Sequence, residues 1–324
     1  MYRGLPREGP DFLYRDVAYA GVPHNVVRLR GRCAFRGGGV VSAGREGSEQ
    51  TYAAYRGERT GHHVVVHELC VLFSRRRRNH LISSGCASSS QQTAVEAWIE
   101  GFRSQAPNAT VAYNPSGSGA GVSTFLTGST VWAGSDKALS AEEIEQSKSV
   151  CASGTAFDVP VYVSPIAVAF NLDGISTAGK HVNMDAATIA KVFNGEITRW
   201  NDPAITEQNP GLDLPNLTIT VVHRSDKSGT TLNFVSYLKD VAPSAWPHDL
   251  SENWPNEVGQ GAKGTSGVVS TIKQANGTIG YADFSQVGDL GTIAVKVGDD
   301  YTPISADAAS KVIAEYWSWR VSRP

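Results

Sequence analysis

Cysteine is scarce in this chain. Its four cysteines, Cys33, Cys70, Cys86 and Cys151, form no CxxC pair and fall at no metal-ligand spacing. A zinc site is therefore not expected, and Cys151 reads as an inert thiol or half of a structural disulfide. Long apolar runs are missing too: nothing approaches the ~18 residues of a membrane-crossing helix. The apolar run Val64 to Phe73 is interrupted by His67 and Glu68 and is followed, not preceded, by arginines, so it does not read as a secretory signal. Cys86 lacks the leucine expected before a lipidated cysteine. Excess charge of one sign is absent, with net charge -2 and pI about 6.5, so no general nucleic-acid footprint is present. GxxxxGK[ST], GxGxxG with a ribose-binding acid, and GxSxG do not occur. Nucleotide, dinucleotide and serine-hydrolase readings thus have no motif behind them.

Lysine and tryptophan are missing from residues 1–80, which hold 14 Arg, 7 acids and 5 of the 8 His, a balance of +7. Residues 81–324 carry 15 bases and 24 acids, a balance of -9. The first segment shows neither helical nor strand periodicity and reads as disordered or non-native, for instance upstream sequence translated in another frame. Its Arg75 to Arg78 run is read as a solvated stretch, the alternative being a basic patch for nucleic acid or lipid.

From residue 81 the pattern is that of an α/β protein. Leu81-Ile82 is a short strand, Ser83 to Ser90 a Ser/Gly turn, and Val95, Trp98, Ile99 and Phe102 recur at helical spacing. Val111 to Tyr113 then leads through Ser116 to Gly121 into a helix carrying Val122, Phe125 and Leu126. Val131 to Ala133 leads into Gly134-Ser135-Asp136 and an acidic helix from Ser140 to Ser149. Each strand ends in small, hydroxylated residues that open a helix. In open α/β sheets such turns converge beyond the strand ends, so several of them can meet on one small anion, although Ser and Gly are also ordinary turn residues.

The strongest unit of this kind runs from the strand Leu217 to Val222, through His223-Arg224-Ser225-Asp226-Lys227, into a helix carrying Leu232, Val235, Leu238 and Val241. Ser228 is suited to the N-cap, and Gly229 lets the backbone approach a ligand closely. Free helical N–H groups, the hydroxyls of Ser228, Thr230 and Thr231, and the planar fork of Arg224 make an oxyanion site. A capped surface helix is the plainer alternative.

Val161 to Phe170 is an apolar run broken by Pro165, which reads as a strand crossing between domains. Asp185 to Phe193 reads as a helix capped from Asn183. Gly259 to Gly267 is too glycine-rich to be regular, with a helix restarting at Val268, and Ile279-Gly280-Tyr281 reads as a strand returning to the first domain.

Taken in order, several motifs resemble the phosphate-binding subunit of the high-affinity phosphate ABC transporter. They are the Ser/Gly turn before Trp98, Tyr-x-x-x-Gly-Ser-Gly-Ala-Gly-Val at 113 to 122, Ala-Gly-Ser-Asp at 133 to 136, and Phe-Asn-Gly-Glu-Ile-Thr-Arg-Trp-Asn-Asp-Pro-Ala-Ile at 193 to 205. His-Arg-Ser-Asp-x-Ser-Gly-Thr-Thr at 223 to 231 and Gly-Gln-Gly-Ala-Lys-Gly at 259 to 264 complete the set. The resemblance covers residues 81 to about 314 and implies a type II periplasmic-binding-protein fold, two α/β lobes joined by two crossings. Lobe 1 is then expected from residues 81–163 and 281–324, with its C-terminal part incomplete after Glu315, and lobe 2 from 164–280.

Carried over, the resemblance implies phosphate ligands in Ser89, the backbone at Ser90, Ser118, Asp136, Arg224, Ser228, Gly229 and Thr230, with Asp226 holding the Arg224 fork. In the first turn either Ser88 or Ser89 is expected to supply the hydroxyl. The implied function is reversible capture of inorganic phosphate and delivery to ABC permease subunits, outside the cytoplasm, by a monomer with no cofactor, no metal and no nucleic-acid partner. Membrane attachment is expected only through the permease or an anchor not visible in the sequence. Two readings compete: a phosphatase with Ser118 or Ser228 as nucleophile and His223 as base, and a truncated chain without stable function.

Overall fold

The computed structural model describes residues 63–66, 81–152, 154–176 and 181–310. These residues build two sheets. The first has five strands in the order β3-β2-β4-β1-β5: β1 (His63–Val66), β2 (Leu81–Ala87), β3 (Ala109–Asn114), β4 (Trp132–Ser135) and β5 (Phe157–Pro160). β2 runs parallel to β3 and β4, and β1 lies antiparallel between β4 and β5. β1 departs from the expected unstructured N-terminal segment; its three consecutive valines are β-branched and suit an extended backbone. The other expectations for residues 1–80, the Arg75 to Arg78 run included, and the divergent end after Glu315 lie outside the described residues.

Helices α1 (Gln92–Gln105), α2 (Ser118–Leu126) and α3 (Ala141–Gln146) alternate with these strands. A small core of Val122, Phe125, Ala133, Leu139 and Ala156 joins them. Residues 161–165 then cross to the second sheet, as the proline-broken run suggested, and Pro165 lies just outside the ladder.

The second sheet has seven strands. Its main path is β12-β11-β6-β10-β8-β9, and β7 pairs with β11. The strands are β6 (Ile166–Asn171), β7 (His181–Met184), β8 (Thr220–Arg224), β9 (Gln260–Ala262), β10 (Thr278–Asp283), β11 (Gly291–Val297) and β12 (Asp300–Thr302). On one face α4 (Ala186–Phe193) and α6 (Gly229–Val241) bury Phe170, Met184, Phe193, Phe234, Leu238, Trp246 and Tyr281. Another cluster joins α7 (Gly264–Gln274) and α8 (Phe284–Val287) to Ala167, Ala169 and Val222. The short α5 (Pro203–Thr206) is capped by Asp202.

Three sequence expectations are corrected here. β10 does not return to the first sheet: it lies between β6 and β8, and the strands that follow it, β11 and β12, lie in the same sheet, so the strands of the described part of 281–324 belong with the second lobe. All six β10 residues are buried, the signature of a central strand. Gly280 is small enough to pass Val222, whose carbonyl oxygen would stand 2.6 Å from an added Cβ. Next, α4 is capped by Asp185, which accepts from Thr188 N at 2.7 Å, while Asn183 lies within β7. Finally, the glycine-rich 259–267 stretch is regular, with β9 paired to β8 and α7 starting at Gly264, because glycines serve there as close-approach and positive-φ positions.

Candidate functional site

Four strand-to-helix turns converge. After β2, Ser88 caps a 3-10 turn over Ser89–Gln91. After β3, Gly117 takes φ +101, a conformation that favours glycine, and α2 begins at Ser118. A Cβ on Gly117 would also stand 2.5 Å from Asp226 Oδ2. After β4 comes Asp136, and after β8 the Arg224 loop leads to the Ser228 cap of α6. Strand ends and helix starts thus bring hydroxyls from both lobes together around Asp136, while the Arg224 guanidinium stands beside the Gly117 turn, 3.2 Å from where a Cβ on Gly117 would sit.

Asp136 is fully buried at its centre. Its Oδ1 accepts from Ser90 Oγ at 2.6 Å and Gln91 Nε2 at 3.4 Å, and its Oδ2 from Ser88 Oγ at 2.6 Å and Thr230 Oγ1 at 2.7 Å. The Thr230 bond crosses from one lobe to the other, as does Asn233 Nδ2, which donates to Asp136 O at 2.8 Å. Asp136 N donates to Ser118 Oγ at 3.2 Å. Asp136 does not cap the next helix: α3 begins at Ala141 with its own capping box, Ser140 and Glu143.

Arg224 is almost fully buried. It holds Asp226 with both teeth of its fork: Nε donates to Oδ1 at 2.7 Å, and the second nitrogen to Oδ2. Burial alone would raise the Asp226 pKa, but the hydrogen bond and charge of Arg224, with the Gly264 N–H at 3.0 Å, hold it below the usual carboxylate range. Arg224 N donates to Tyr281 Oη at 3.2 Å, and that hydroxyl also bonds Thr231 Oγ1 at 2.7 Å. Burial pushes the Tyr281 pKa up to about 12, so it remains a neutral hydroxyl.

Of the residues singled out from sequence, Ser90, Ser118, Asp136, Gly229 and Thr230 meet in one cluster. A Cβ on Gly229 would stand 2.9 Å from Asp136 Cβ and 3.0 Å from Ser118 Oγ. Ser228 caps α6, accepting from Thr231 N at 3.3 Å. Ser89 turns elsewhere: its Oγ accepts from Thr265 N at 3.0 Å, so it is Ser88, the open alternative, whose hydroxyl reaches Asp136. Sequence reasoning did not find Gln91, Thr265, Tyr281 or Gln286, the last donating to the carbonyls of Ser89 and Ser90 at 2.8 and 2.9 Å. Glycine before Thr265 was the one local signal available. His223 stacks on Trp254, its Nδ1 lies 3.0 Å from Arg224 O, and burial lowers its pKa. Among the described residues no cluster of three His, Cys, Asp or Glu side chains is placed to hold a metal, and no helix is long and apolar enough to cross a membrane.

The fold recurs in solved structures. A putative phosphate ABC transporter substrate-binding protein with bound phosphate from Clostridium perfringens superposes with TM-score 0.55 at 22% identity, over 71% of this chain and 81% of that one. A high-affinity periplasmic phosphate-binding protein bound with phosphate gives TM-score 0.58 at 23% identity, over 72% of this chain and 67% of that one. Among curated relatives, phosphate-binding protein PstS 2 of Mycobacterium tuberculosis is 39% identical over 242 residues, 73% of this chain. The chain spans 64% of that relative's length. The profile of the family described as PBP superfamily domain matches residues 78–318, a span that takes in all four turns of the site, the seven-stranded sheet and every strand of the other sheet except β1, and the chain belongs to that family.

Proposed function

We propose that this chain captures inorganic phosphate between its two lobes and hands it to the permease of an ABC importer, outside the cytoplasm. The observation that carries the reading is Asp136, a buried carboxylate ringed by hydroxyls from both lobes at the starts of their helices. Hydroxyls and amides suit a tetrahedral oxyanion, and Asp136 can accept a hydrogen bond from the P–O–H that phosphate still carries near neutral pH. The names of the relatives and the phosphate held by the structural neighbours support the same ligand. Ser88, Ser90, Ser118, Thr230, Gly229 and Arg224 are the proposed contacts. Ser89 and Ser228 contribute through their backbones, and Asp226 orients the fork. Delivery rests on opening and closing of the lobes.

A phosphatase needs a hydroxyl bonded to a base that can take its proton, and the bonds of the two hydroxyls offered for that role run instead to backbone N–H groups. Ser118 Oγ accepts from Asp136 N, and Ser228 Oγ accepts from Thr231 N. His223 is held against Trp254 and Arg224 O. Calorimetric titration with phosphate, beside an assay with an aryl phosphate, tests the reading. Tight binding without turnover is expected, and turnover with weak binding would overturn it.

A further inference from the structure

Charges at the rim of the site, outside its ring of hydroxyls, also join the lobes. Lys137 follows Asp136 on the five-stranded lobe, and Lys227 precedes Ser228 on the seven-stranded one, so each stands one residue from a wall of the site. Glu252, in the loop between α6 and β9, reaches both. Its Oε2 lies 3.2 Å from Lys227 Nζ and 3.8 Å from Lys137 Nζ. The backbone of the same residue fixes the anion-facing helix, since Glu252 O accepts from Ser228 N at 2.9 Å. Lys137 and Glu252 are only 10% and 12% exposed, so solvent screens this pair far less than a surface pair. Beside them Gly119 N donates to Lys227 O at 3.2 Å, a backbone bond across the same boundary.

We infer that Glu252 is a closure latch, a residue that sets how long the lobes stay shut on their ligand without touching it. Each member has a second partner within its own lobe: Lys137 has Glu143 at 2.7 Å, and Glu252 has Lys227. Opening therefore breaks the Lys137–Glu252 pair without stranding either charge in the protein interior. Such a pair resists opening and still releases, which suits a carrier that must unload. Because both ends have these second partners, its loss costs less than that of a fully buried pair, and it falls mainly on the dissociation rate.

The assay rests on the phosphate reading above, and two arms keep the two ideas apart. In the full chain, Glu252→Gln keeps the shape and the Ser228 N to Glu252 O bond while removing the charge. Stopped-flow tryptophan fluorescence is expected to show phosphate leaving about tenfold faster with association nearly unchanged. Lys137→Gln is expected to act alike, and the double variant to be no faster than either single one, as residues sharing one interaction require. Dissociation at the wild-type rate, or strictly additive effects, would overturn the latch. The second arm is small-angle X-ray scattering without phosphate, where Glu252→Gln is expected to shift the population toward a larger radius of gyration. Failure of the wild type to bind phosphate would sink the functional reading alone, and the scattering would still decide the latch.

Discussion

Replacing Asp136 by Asn is the most informative single change, because it keeps the shape of the site and alters only what the site can accept. In the wild type the carboxylate takes hydrogen bonds from Ser88, Ser90 and Thr230 at 2.6 to 2.7 Å. Bonds to a charged acceptor are worth roughly 1 kcal/mol more than neutral ones, so losing the charge forfeits about 3 kcal/mol across the three hydroxyls. That loss is offset in part because a buried charge no longer has to be desolvated, and hydroxyls can turn to accept from the new amide. The variant is therefore expected to fold. The ligand preference should change far more. Phosphate near neutral pH has a proton to give Asp136, whereas sulfate has none and would set two acceptors face to face in a buried gap. Sites built this way reject the wrong isostere by ~10⁴ or more. Asn offers both anions the same N–H, so the preference for phosphate over sulfate should collapse by about a hundredfold or more, with phosphate binding still measurable. Competition titrations of the two proteins with both anions, at one pH and ionic strength, read this directly. An unchanged ratio would refute proton sharing and reduce Asp136 to a framework residue.

Arg224→Lys and Arg224→Ala should both weaken phosphate binding, Ala by ~2 to 5 kcal/mol and Lys by less, since an ammonium cannot reproduce the fork held by Asp226; calorimetry giving Lys the wild-type affinity would show that Arg224 is not a ligand. Gly229→Ala drives a methyl to 2.9 Å from Asp136 Cβ, and the overpacking should cost closure about 1 to 3 kcal/mol, read as weaker binding with unchanged far-UV circular dichroism. Burial holds the Asp158 pKa at about 6, above the ordinary carboxylate range, so this group favours the folded state below about pH 4 and loses that contribution as pH rises through 6. Asp158→Asn is accordingly expected to raise Tm at pH 8 and leave it unchanged at pH 4, and an equal shift at both would contradict the assignment. Tyr281→Phe leaves the buried Arg224 N–H without its partner, a loss of ~1 to 3 kcal/mol that should appear in phosphate affinity as well as in Tm; a fall in Tm alone would mean that Asp226 suffices to place Arg224.

The parts of the site that were legible in the sequence are those fixed by short-range chemistry. A serine before Gly229 and a helical run caps a helix wherever the chain goes, and the Arg224 and Asp226 side chains meet because only Ser225 separates them. The choice among Ser88, Ser89 and Ser90 was not legible, because it depends on turn dihedrals. With Ser88 at φ -54, ψ 134, the turn sends Ser88 and Ser90 to Asp136 and Ser89 to Thr265. Thr265 and Gln286 lie 176 and 197 residues from the Ser89 atoms they bind, and nothing local to either announces that meeting.

The misplaced strand shows why fold and site have to be read together. An apolar run such as Ile279-Gly280-Tyr281 states that a strand will be buried, while its sheet is decided by the partners that take its N–H and C=O groups. Gly280 held the missing information: a glycine inside a strand marks close approach of another chain segment, here Val222 of β8. Pairing β10 in parallel with β8 then carries Tyr281 past Val222 to the strand end, where its hydroxyl meets Arg224 N and Thr231 Oγ1. Had β10 joined the first sheet, Arg224 would have lost that tie and Asp226 alone would have aimed its fork. A central strand of the larger lobe therefore links Arg224 to the first turn of α6, and one hydroxyl makes a packing decision part of the anion site.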